Sequence, residues 1–187
     1  EEIESDNTTT QVFLDAGHNP PEGVIVTYNL PENHDSEITI TFLNAKGQEI
    51  NQFSSDNKTS RQKVPKQKGM NKFIWDLRYP GPRTAPENKS ECLISGPNPK
   101  GPMVTPGYYS VKLDLNDQVL TQSIEIRKHP GSEASENDLA EQLTMLMNIR
   151  DKISEINDLI NEVRNVRRRL REWIDTHQDS NQDDPHL

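Results

Sequence analysis

The feature that most constrains this chain is a long stretch, from Leu139 to His177, that contains neither glycine nor proline. Apolar residues recur through it at alternating steps of three and four positions, and only Arg167 interrupts the series. That spacing is the heptad pattern of a helix with one apolar stripe along its side. The residues of this stripe, here called the seam, are Leu146, Ile149, Ile153, Ile156, Ile160, Val163, Leu170 and Ile174. The pattern therefore predicts one long helix over residues 136–177.

The start of this helix and the width of its seam are also visible in the sequence. Ser135, followed by Asp138 three positions later, predicts a capping box in which Asp138 replaces the usual glutamate or glutamine. Four more apolar residues widen the seam, namely Leu143, Leu159, Val166 and Trp173. At ~1.5 Å per residue the helix extends ~60 Å, and so much bare apolar surface is not stable alone in water. We expect a partner helix, either from a second copy in a homo-oligomer or from a segment outside this chain.

Ahead of the helix, apolar residues follow the period of two that is typical of strands. The clearest strand spans residues 71–78, and Trp75, one of two tryptophans, lies in the middle of its apolar face. A large aromatic residue in such a place is more often a core anchor than a ligand platform. A second strong strand spans residues 105–115. The predicted core residues of these two strands are Phe73, Trp75, Leu77, Tyr109, Val111 and Leu113.

Seven short strands, separated by turn residues, precede the helix. They are predicted at residues 11–14, 24–30, 37–43, 48–53, 71–78, 105–115 and 118–127. This count and spacing are typical of an immunoglobulin-like or fibronectin-like β-sandwich. The predicted organisation is a linker or frayed end at 1–9, the sandwich at 10–131, the amphipathic helix within 132–177 and an acidic tail at 178–187. Residues 80–106 are rich in proline and are expected to lie along the sheet or to dock on a neighbour.

Composition excludes several classes of function. The formal net charge of -9 argues against a general binder of nucleic acid or of anionic membranes. No apolar run approaches the ~20 residues of a spanning helix, so membrane insertion is not expected. The single cysteine, Cys92, excludes an internal disulfide and a cysteine metal cluster. The chain opens on Glu1, without an initiator methionine, and we expect it to be a piece of a longer protein.

Residues that could carry chemistry are few. A metal site in the first loops is conceivable, but its members match no ligand spacing: Asp15, His18, Glu22 and His34. Cys92 has no histidine placed near it for a nucleophilic role. Asp76, Asp114 and Glu125 could act as paired acids only if the fold brought two of them together beside a cleft. We therefore predict no catalytic residue, no cofactor, no metal and no enzymatic activity.

Arginines crowd the last third of the helix, at positions 164, 167, 168, 169 and 171. One interpretation is a contact with nucleic acid, because the guanidinium group suits phosphate. The acidic neighbours Glu162, Glu172 and Asp175 favour a salt-bridged helix face instead. We expect the arginines to pair with carboxylates rather than to bind nucleic acid.

Four stretches together resemble one family of proteins. They are residues 19–28, residues 71–80 with their Trp-Asp-Leu-Arg-Tyr centre, residues 101–111 and residues 149–155. This set is similar to the C-terminal region of large exported bacterial proteins that begin with a sortilin-type β-propeller of BNR-like repeats. Such proteins are often named glycosyl hydrolase or sialidase-like. The resemblance covers about residues 10–175, but in that family the helical region usually continues into a return helix, whereas this chain ends in an acidic tail.

The resemblance implies an export route and a place for the chain in a larger protein. It implies a periplasmic or extracellular location and an upstream propeller domain as the partner of the sandwich. In that family the propeller would carry any catalytic or ligand-binding site. None of its repeats is present in this sequence, so the resemblance transfers no catalytic residue.

Three hypotheses of function follow. The leading one is a non-catalytic accessory module of a larger exported propeller protein, with the helix mediating helix-helix association. The second is a carbohydrate-binding sandwich, in which exposed rings such as Tyr28, Tyr79 or Tyr108 would form a stacking platform. The third is part of a glycoside hydrolase, with the 80–106 segment completing an active site that lies in the propeller.

Overall fold

Eight strands precede one helix in the computed structural model, which describes residues 2–5, 8–11, 21–33, 35–56, 62–84, 99–115 and 118–179. The strands are β1 (Glu2–Ser5), β2 (Thr8–Gln11), β3 (Val24–Leu30), β4 (Thr39–Asn44), β5 (Glu49–Ser54), β6 (Gly69–Trp75), β7 (Gly107–Asp114) and β8 (Val119–Ile126). The helix is α1 (Glu136–Asp179), with 44 residues.

Six of these strands form two antiparallel sheets. β3 pairs with β6 in a two-stranded sheet, with Val24 opposite Trp75 and Leu30 opposite Gly69. The second sheet has four strands in the order β5-β4-β7-β8. Its central pair, β4 and β7, joins segments far apart in the sequence, with Phe42 opposite Val111. β6 therefore lies in the first sheet although it comes between β5 and β7 along the chain.

Aromatic side chains fill the space between the two sheets. Phe42 of β4 stacks on Trp75 of β6 with 4.1 Å between ring centroids, and Phe53 of β5 packs on Phe73 of β6 at 4.9 Å. Phe42 and Trp75 are completely buried. Because these rings come from strands of opposite sheets, they hold the sheets face to face. The chain thus has the sandwich-like β fold and the long C-terminal helix that its sequence predicted.

The six predicted core residues all contribute to this interior, but one does so from outside a strand. At most 8% of each of five side chains is exposed, namely Phe73, Trp75, Tyr109, Val111 and Leu113. Leu77 is half-buried and packs at the edge of the core. Strand β6 ends at Trp75 rather than at residue 78, because Leu77 adopts a φ of 61° in the left-handed region. Its carbonyl accepts a hydrogen bond from the Val104 amide at 2.8 Å.

The N-terminal residues also differ from the prediction of a linker or frayed end at 1–9. β1 and β2 pair as an antiparallel hairpin, with Glu2 opposite Gln11 and Ser5 opposite Thr8. The run of β-branched threonines in β2 favours this extended backbone. Residues 12–14 of the first predicted strand lie outside the described residues. Five other predicted strands agree with β3, β4, β5, β7 and β8 to within two residues at each end.

Part of the proline-rich segment packs against the end of β6. The Tyr79 amide donates to the Pro102 carbonyl at 2.9 Å, and Arg78 forms an isolated bridge with Met103. A Cβ atom added to Gly101 would lie 1.9 Å from the Tyr79 carbonyl oxygen, so only glycine fits there. These contacts fasten the end of the proline-rich segment, residues 99–104, beside residues 77–79. Residues 85–98, with Cys92, lie outside the described residues.

The helix begins at the predicted cap. The Asp138 amide donates to the Ser135 hydroxyl at 3.1 Å, and the Ser135 amide donates to the Asp138 carboxylate at 2.9 Å. These reciprocal bonds satisfy two groups that the first turn would otherwise leave unpaired. The helix continues to Asp179, two residues beyond the predicted end.

Candidate functional site

The helix is attached to the β sandwich through the backbone of Arg83. The Arg83 amide donates to the Ser154 hydroxyl at 3.1 Å, and the Asn157 side-chain amide donates to the Arg83 carbonyl at 2.7 Å. Ser154 and Asn157 are 4% and 7% exposed, although both are polar residues in the middle of a helix. Buried polar groups are stable when they are hydrogen-bonded to one another, and here each group has its partner. This pair of bonds is the point at which α1 is held.

A surface ion pair supports the same junction. The Arg83 guanidinium lies 2.6 Å from the Asp158 carboxylate, and its hydrogen bond holds the pKa of Asp158 below the usual range. The same interaction raises the pKa of Arg83. Both side chains are at least half exposed, so solvent screens the pair and it adds little to stability. The buried bonds of Ser154 and Asn157 therefore carry most of the attachment.

The residues that α1 turns inward form a stripe of their own, here called the docked stripe. Its members are buried or half-buried and recur at steps of four and three: Leu143, Met147, Arg150, Ser154, Asn157, Asn161 and Arg164. The central members of the stripe are polar or charged, and its buried contacts are hydrogen bonds. The first part of the seam also faces the sandwich: Leu146, Ile149 and Ile153, together with Arg150, line a cavity of about 360 Å³ between the helix and residues 99–103.

The seam lies on a different side of the helix. Ser154 directly follows Ile153, and Asn157 directly follows Ile156, so each docked residue is rotated about 100° from a seam residue. Ile153 and Ile160 are half-buried, and the other seam residues are exposed. Val163 is the most exposed of them, at 68%. Docking on the sandwich therefore leaves most of the seam open to solvent.

Three of the four residues that widen the seam are exposed as well. Leu159, Val166 and Trp173 are 50–59% exposed, whereas Leu143 belongs to the docked stripe. The whole surface, here called the exposed apolar face, consists of Leu146, Ile149, Ile156, Leu159, Val163, Val166, Leu170, Trp173 and Ile174. Beside Met145 and Ile149 an open, largely apolar depression of about 660 Å³ follows the helix. A contiguous apolar surface of this length marks an interaction site more often than an accident of folding.

Charges along the helix are segregated. Residues 151–162 carry four carboxylates and one lysine, whereas residues 164–171 carry five arginines and no carboxylate. One of these arginines, Arg168, lies 3.7 Å from Glu172, which agrees with the expected salt-bridged face. The helix thus has an acidic middle followed by a basic segment, and the four carboxylates lie on the side of the helix away from the seam.

The other predicted candidates that lie among the described residues do not form a chemical site. No group of three or more metal-ligating side chains occurs among the described residues. Of the four metal candidates, Glu22 is an exposed loop residue, and Asp15, His18 and His34 lie outside the described residues. Cys92 lies outside them too.

The three acidic candidates are also apart. Glu125 pairs with Arg127 at 2.8 Å, and Asp114 lies 3.3 Å from Lys112. Glu125 of β8 is opposite Tyr108 of β7. Tyr108 and Asp114 are six residues apart on β7, which corresponds to roughly 20 Å along the strand. Asp76 is exposed beyond the end of β6. The fold therefore keeps Asp114 and Glu125 apart.

The three tyrosines named for carbohydrate binding do not share one exposed face. Tyr28 is buried, its hydroxyl donates to the Pro65 carbonyl, and burial raises its pKa to about 12. Tyr79 is half-buried, and only Tyr108 is largely exposed. A stacking platform needs at least two open rings, so this arrangement gives the second hypothesis no support.

The docked stripe is the part of the site that the sequence did not reveal. Arg83 and its helix partners are 71 to 75 positions apart, and no motif links them. The sequence held one weak signal of the docked stripe. Ser154 and Asn157 are two polar residues with weak helix preference, and they lie beside the seam in mid-helix. That signal indicates a special environment but not its partner.

No helix in the described ranges has the length and apolar character needed to cross a membrane. Comparison of the chain with protein-family models, with curated proteins and with solved structures finds no match. Support for a function therefore comes from the geometry of the helix and from the resemblance of the four sequence stretches.

Proposed function

We propose that this chain is a non-catalytic accessory and assembly module whose helix associates with another helix. One observation carries the proposal: α1 docks through the polar bonds of Ser154 and Asn157, and six of its eight seam residues are exposed. If the seam were part of the monomer core, these residues would be buried. The arrangement suits a helix that presents this side to a partner.

The size of the exposed apolar face supports association of useful strength. Burying one valine or leucine side chain stabilises by about 1.5–3 kcal/mol. The loss of translational and rotational freedom on association costs about 4–15 kcal/mol. Nine apolar side chains on one helix, facing a similar stripe, are enough to offset that cost.

For the β sandwich we propose an immunoglobulin-like accessory role beside an upstream propeller, in an exported parent protein. This part rests on the family resemblance of residues 19–28, 71–80 and 101–111. Two of those stretches contribute β6 and β7, whose side chains Trp75 and Val111 belong to the buried core. In this proposal the sandwich positions the helix, and any reaction of the parent belongs to the propeller.

The test compares two full-length variants that each add one carboxylate to the same turn of the helix. Val163→Glu places it in the seam, and Asn165→Glu places it on an exposed position away from the seam. The seam variant loses the burial of valine, about 1.5–3 kcal/mol, so we expect it to associate roughly 10- to 100-fold more weakly. Light scattering over a wide concentration range measures this.

The control variant should associate like the unchanged chain, and both variants should keep the same helical circular dichroism. Equal masses for the two variants at every concentration would mean that the seam is not the association surface. A strictly monomeric unchanged chain would contradict the proposal as well.

A further inference from the structure

We infer that the cavity of about 360 Å³ between the helix and residues 99–103 binds a small aliphatic carboxylate, with its charged end beside Arg78, Lys100 and Arg150. This inference goes beyond the proposed function, because it assigns a ligand site where α1 meets the sandwich and does not depend on association. It rests on three properties of the cavity: its size, its apolar walls and the sign of its charges.

The cavity lies where three parts of the chain meet. Residues 78–82 and 99–103 line one side, and the first half of α1 lines the other. On the helix the apolar lining residues are Leu146, Ile149 and Ile153, and three prolines line the opposite side. Sites for small molecules occupy about 300–1,000 Å³ and are mainly apolar, with a few polar groups that orient the ligand. The cavity thus has room for a small organic molecule with an apolar body.

The charged residues that line the cavity all have the same sign. They are Arg78, Lys100 and Arg150, and no aspartate or glutamate is among the described residues that line it. The whole chain has 30 acidic and 21 basic residues, so this cluster reverses the overall balance. Three cations beside one apolar space repel one another, and an anion between them would offset that repulsion. The cavity therefore favours an anionic ligand.

Two of the three cations are held in place at the wall of the cavity. The Arg78 guanidinium donates one hydrogen bond to the carbonyl of Gly101, another lining residue, at 2.8 Å. The Arg150 side chain is 20% exposed and donates to one oxygen of Asp151, from Nε at 2.9 Å and from Nη2 at 2.6 Å. A guanidinium group has five N–H donors, so each arginine retains donors for a ligand. Because both groups are already ordered, binding costs little side-chain entropy.

An aliphatic carboxylate suits both the charges and the walls. Arginine pairs with a carboxylate through two parallel hydrogen bonds, which orients the charged end. The chain of the ligand would lie on the apolar helix residues, where each buried methylene group strengthens binding by about fourfold. A small inorganic anion would leave those walls uncovered, and a neutral alcohol would leave the cations without a counter-charge.

Titration of the full-length chain with octanoate tests the inference, with amide chemical shifts in nuclear magnetic resonance spectra as the readout. We expect the largest shifts at Gly101, Leu146 and Ile153, which line the cavity. Two other ligands serve as controls. Acetate has the same charged group with a short body, and octanol has the same chain without the charge. Each should bind at least roughly 10-fold more weakly than octanoate.

Three variants separate the cavity from the overall charge of the chain. Arg150→Gln removes one cation of the cavity, and we expect about 10-fold weaker octanoate binding. Arg169→Gln makes the same change at an exposed position that does not line the cavity, and it should bind octanoate like the unchanged chain. Because Arg150 also belongs to the docked stripe, the exposed Lys100 provides a second test outside the helix. Lys100→Gln should weaken binding by about threefold.

Saturable shifts at the cavity that Arg150→Gln and Lys100→Gln both weaken would support the inference. Octanol binding as tightly as octanoate would show an apolar cavity without preference for an anion and would overturn it. Shifts confined to Val163 and Leu170 would place octanoate on the exposed apolar face and would overturn it too. Equal affinities for all three variants, or no shift at any amide, would have the same meaning. The light-scattering test of the proposed function is independent of each of these results.

Discussion

At the scale of single residues, close approaches of the backbone determine the structure of the turn after β6 more than charged contacts do. Trp75 stacks on Phe42, and its indole nitrogen donates to the Arg78 carbonyl at 3.1 Å, so the main anchor of the core also holds the turn that follows β6. Gly101 lets a second segment approach the same turn, because it has no Cβ atom to collide with the Tyr79 carbonyl. The junction with the helix begins only four residues beyond Tyr79, at Arg83.

Gly101→Ala tests this close approach. A Cβ atom would lie 1.9 Å from the Tyr79 oxygen, and the backbone there is held by the bond from the Tyr79 amide to Pro102. We expect a loss of about 1–3 kcal/mol in the free energy of unfolding, as for overpacked sites. Urea unfolding measures it. Gly131→Ala is the control, because its Cβ atom would meet only the His129 ring, at 3.3 Å. Equal urea midpoints for the two variants would show that the approach is not tight.

At the scale of elements, the helix is specified at its start and along its length by different means. Its start depends on two reciprocal bonds between Ser135 and Asp138. Its length depends on a run without glycine or proline and on the docked stripe near its middle. By contrast, β8 is the edge strand beside β7 in the described sheet: it exposes Val119 and Leu120, and only Ile124 and Ile126 pack against the core.

The capping box makes the helix sensitive to acid. The hydrogen bonds from Ser135 hold the pKa of Asp138 below its ordinary value of 3.8. Folding therefore favours the carboxylate, so its contribution is present above the ordinary value and is lost as the pH falls through the lowered pKa. We expect Asp138→Asn to lose helix content at neutral pH and to show a smaller further loss below about pH 4 than the unchanged chain.

Far-ultraviolet circular dichroism against pH measures this effect. Glu136→Gln removes a neighbouring carboxylate of the first turn that is outside the capping box. That variant should keep the acid transition of the unchanged chain. If both variants lost the transition equally, the effect would belong to the helix dipole and not to the cap.

At the scale of the whole molecule, one junction determines how the helix is presented. Arg83 gives both of its backbone groups to the helix, and Ser154 and Asn157 are buried by that contact. Because this contact uses a polar side of α1, the exposed apolar face is turned away from it. The junction therefore couples the sandwich to the proposed assembly surface.

Asn157→Ala tests the junction. The substitution leaves the Arg83 carbonyl without its donor at a buried place, which costs about 1–3 kcal/mol. We expect a lower urea midpoint and faster amide hydrogen exchange in the middle of α1. Asn165→Ala makes the same chemical change at an exposed position and should stay within about 0.5 kcal/mol of the unchanged chain. Identical exchange in both variants would place the attachment elsewhere.

The amino-acid sequence by itself determined the elements of this protein. The capping residues Ser135 and Asp138, the seam and the alternating strand around Trp75 are local patterns, and local patterns depend on neighbours in the chain. Burial of Trp75 could be predicted for the same reason, because one face of its strand is apolar. The turn at Leu77 could not, because its φ of 61° depends on a bond to Val104, which is distant in sequence.

Only the tertiary structure decided which side of the helix faces the sandwich. A hydrophobic period shows that one side of a helix is apolar, but it does not show what covers that side. The bonds from Arg83 to Ser154 and Asn157 orient the helix, since buried hydrogen bonds need exact partners and leave no periodic trace in the sequence. The apolar side is therefore on the surface because a few polar contacts between distant residues determined the orientation of the helix.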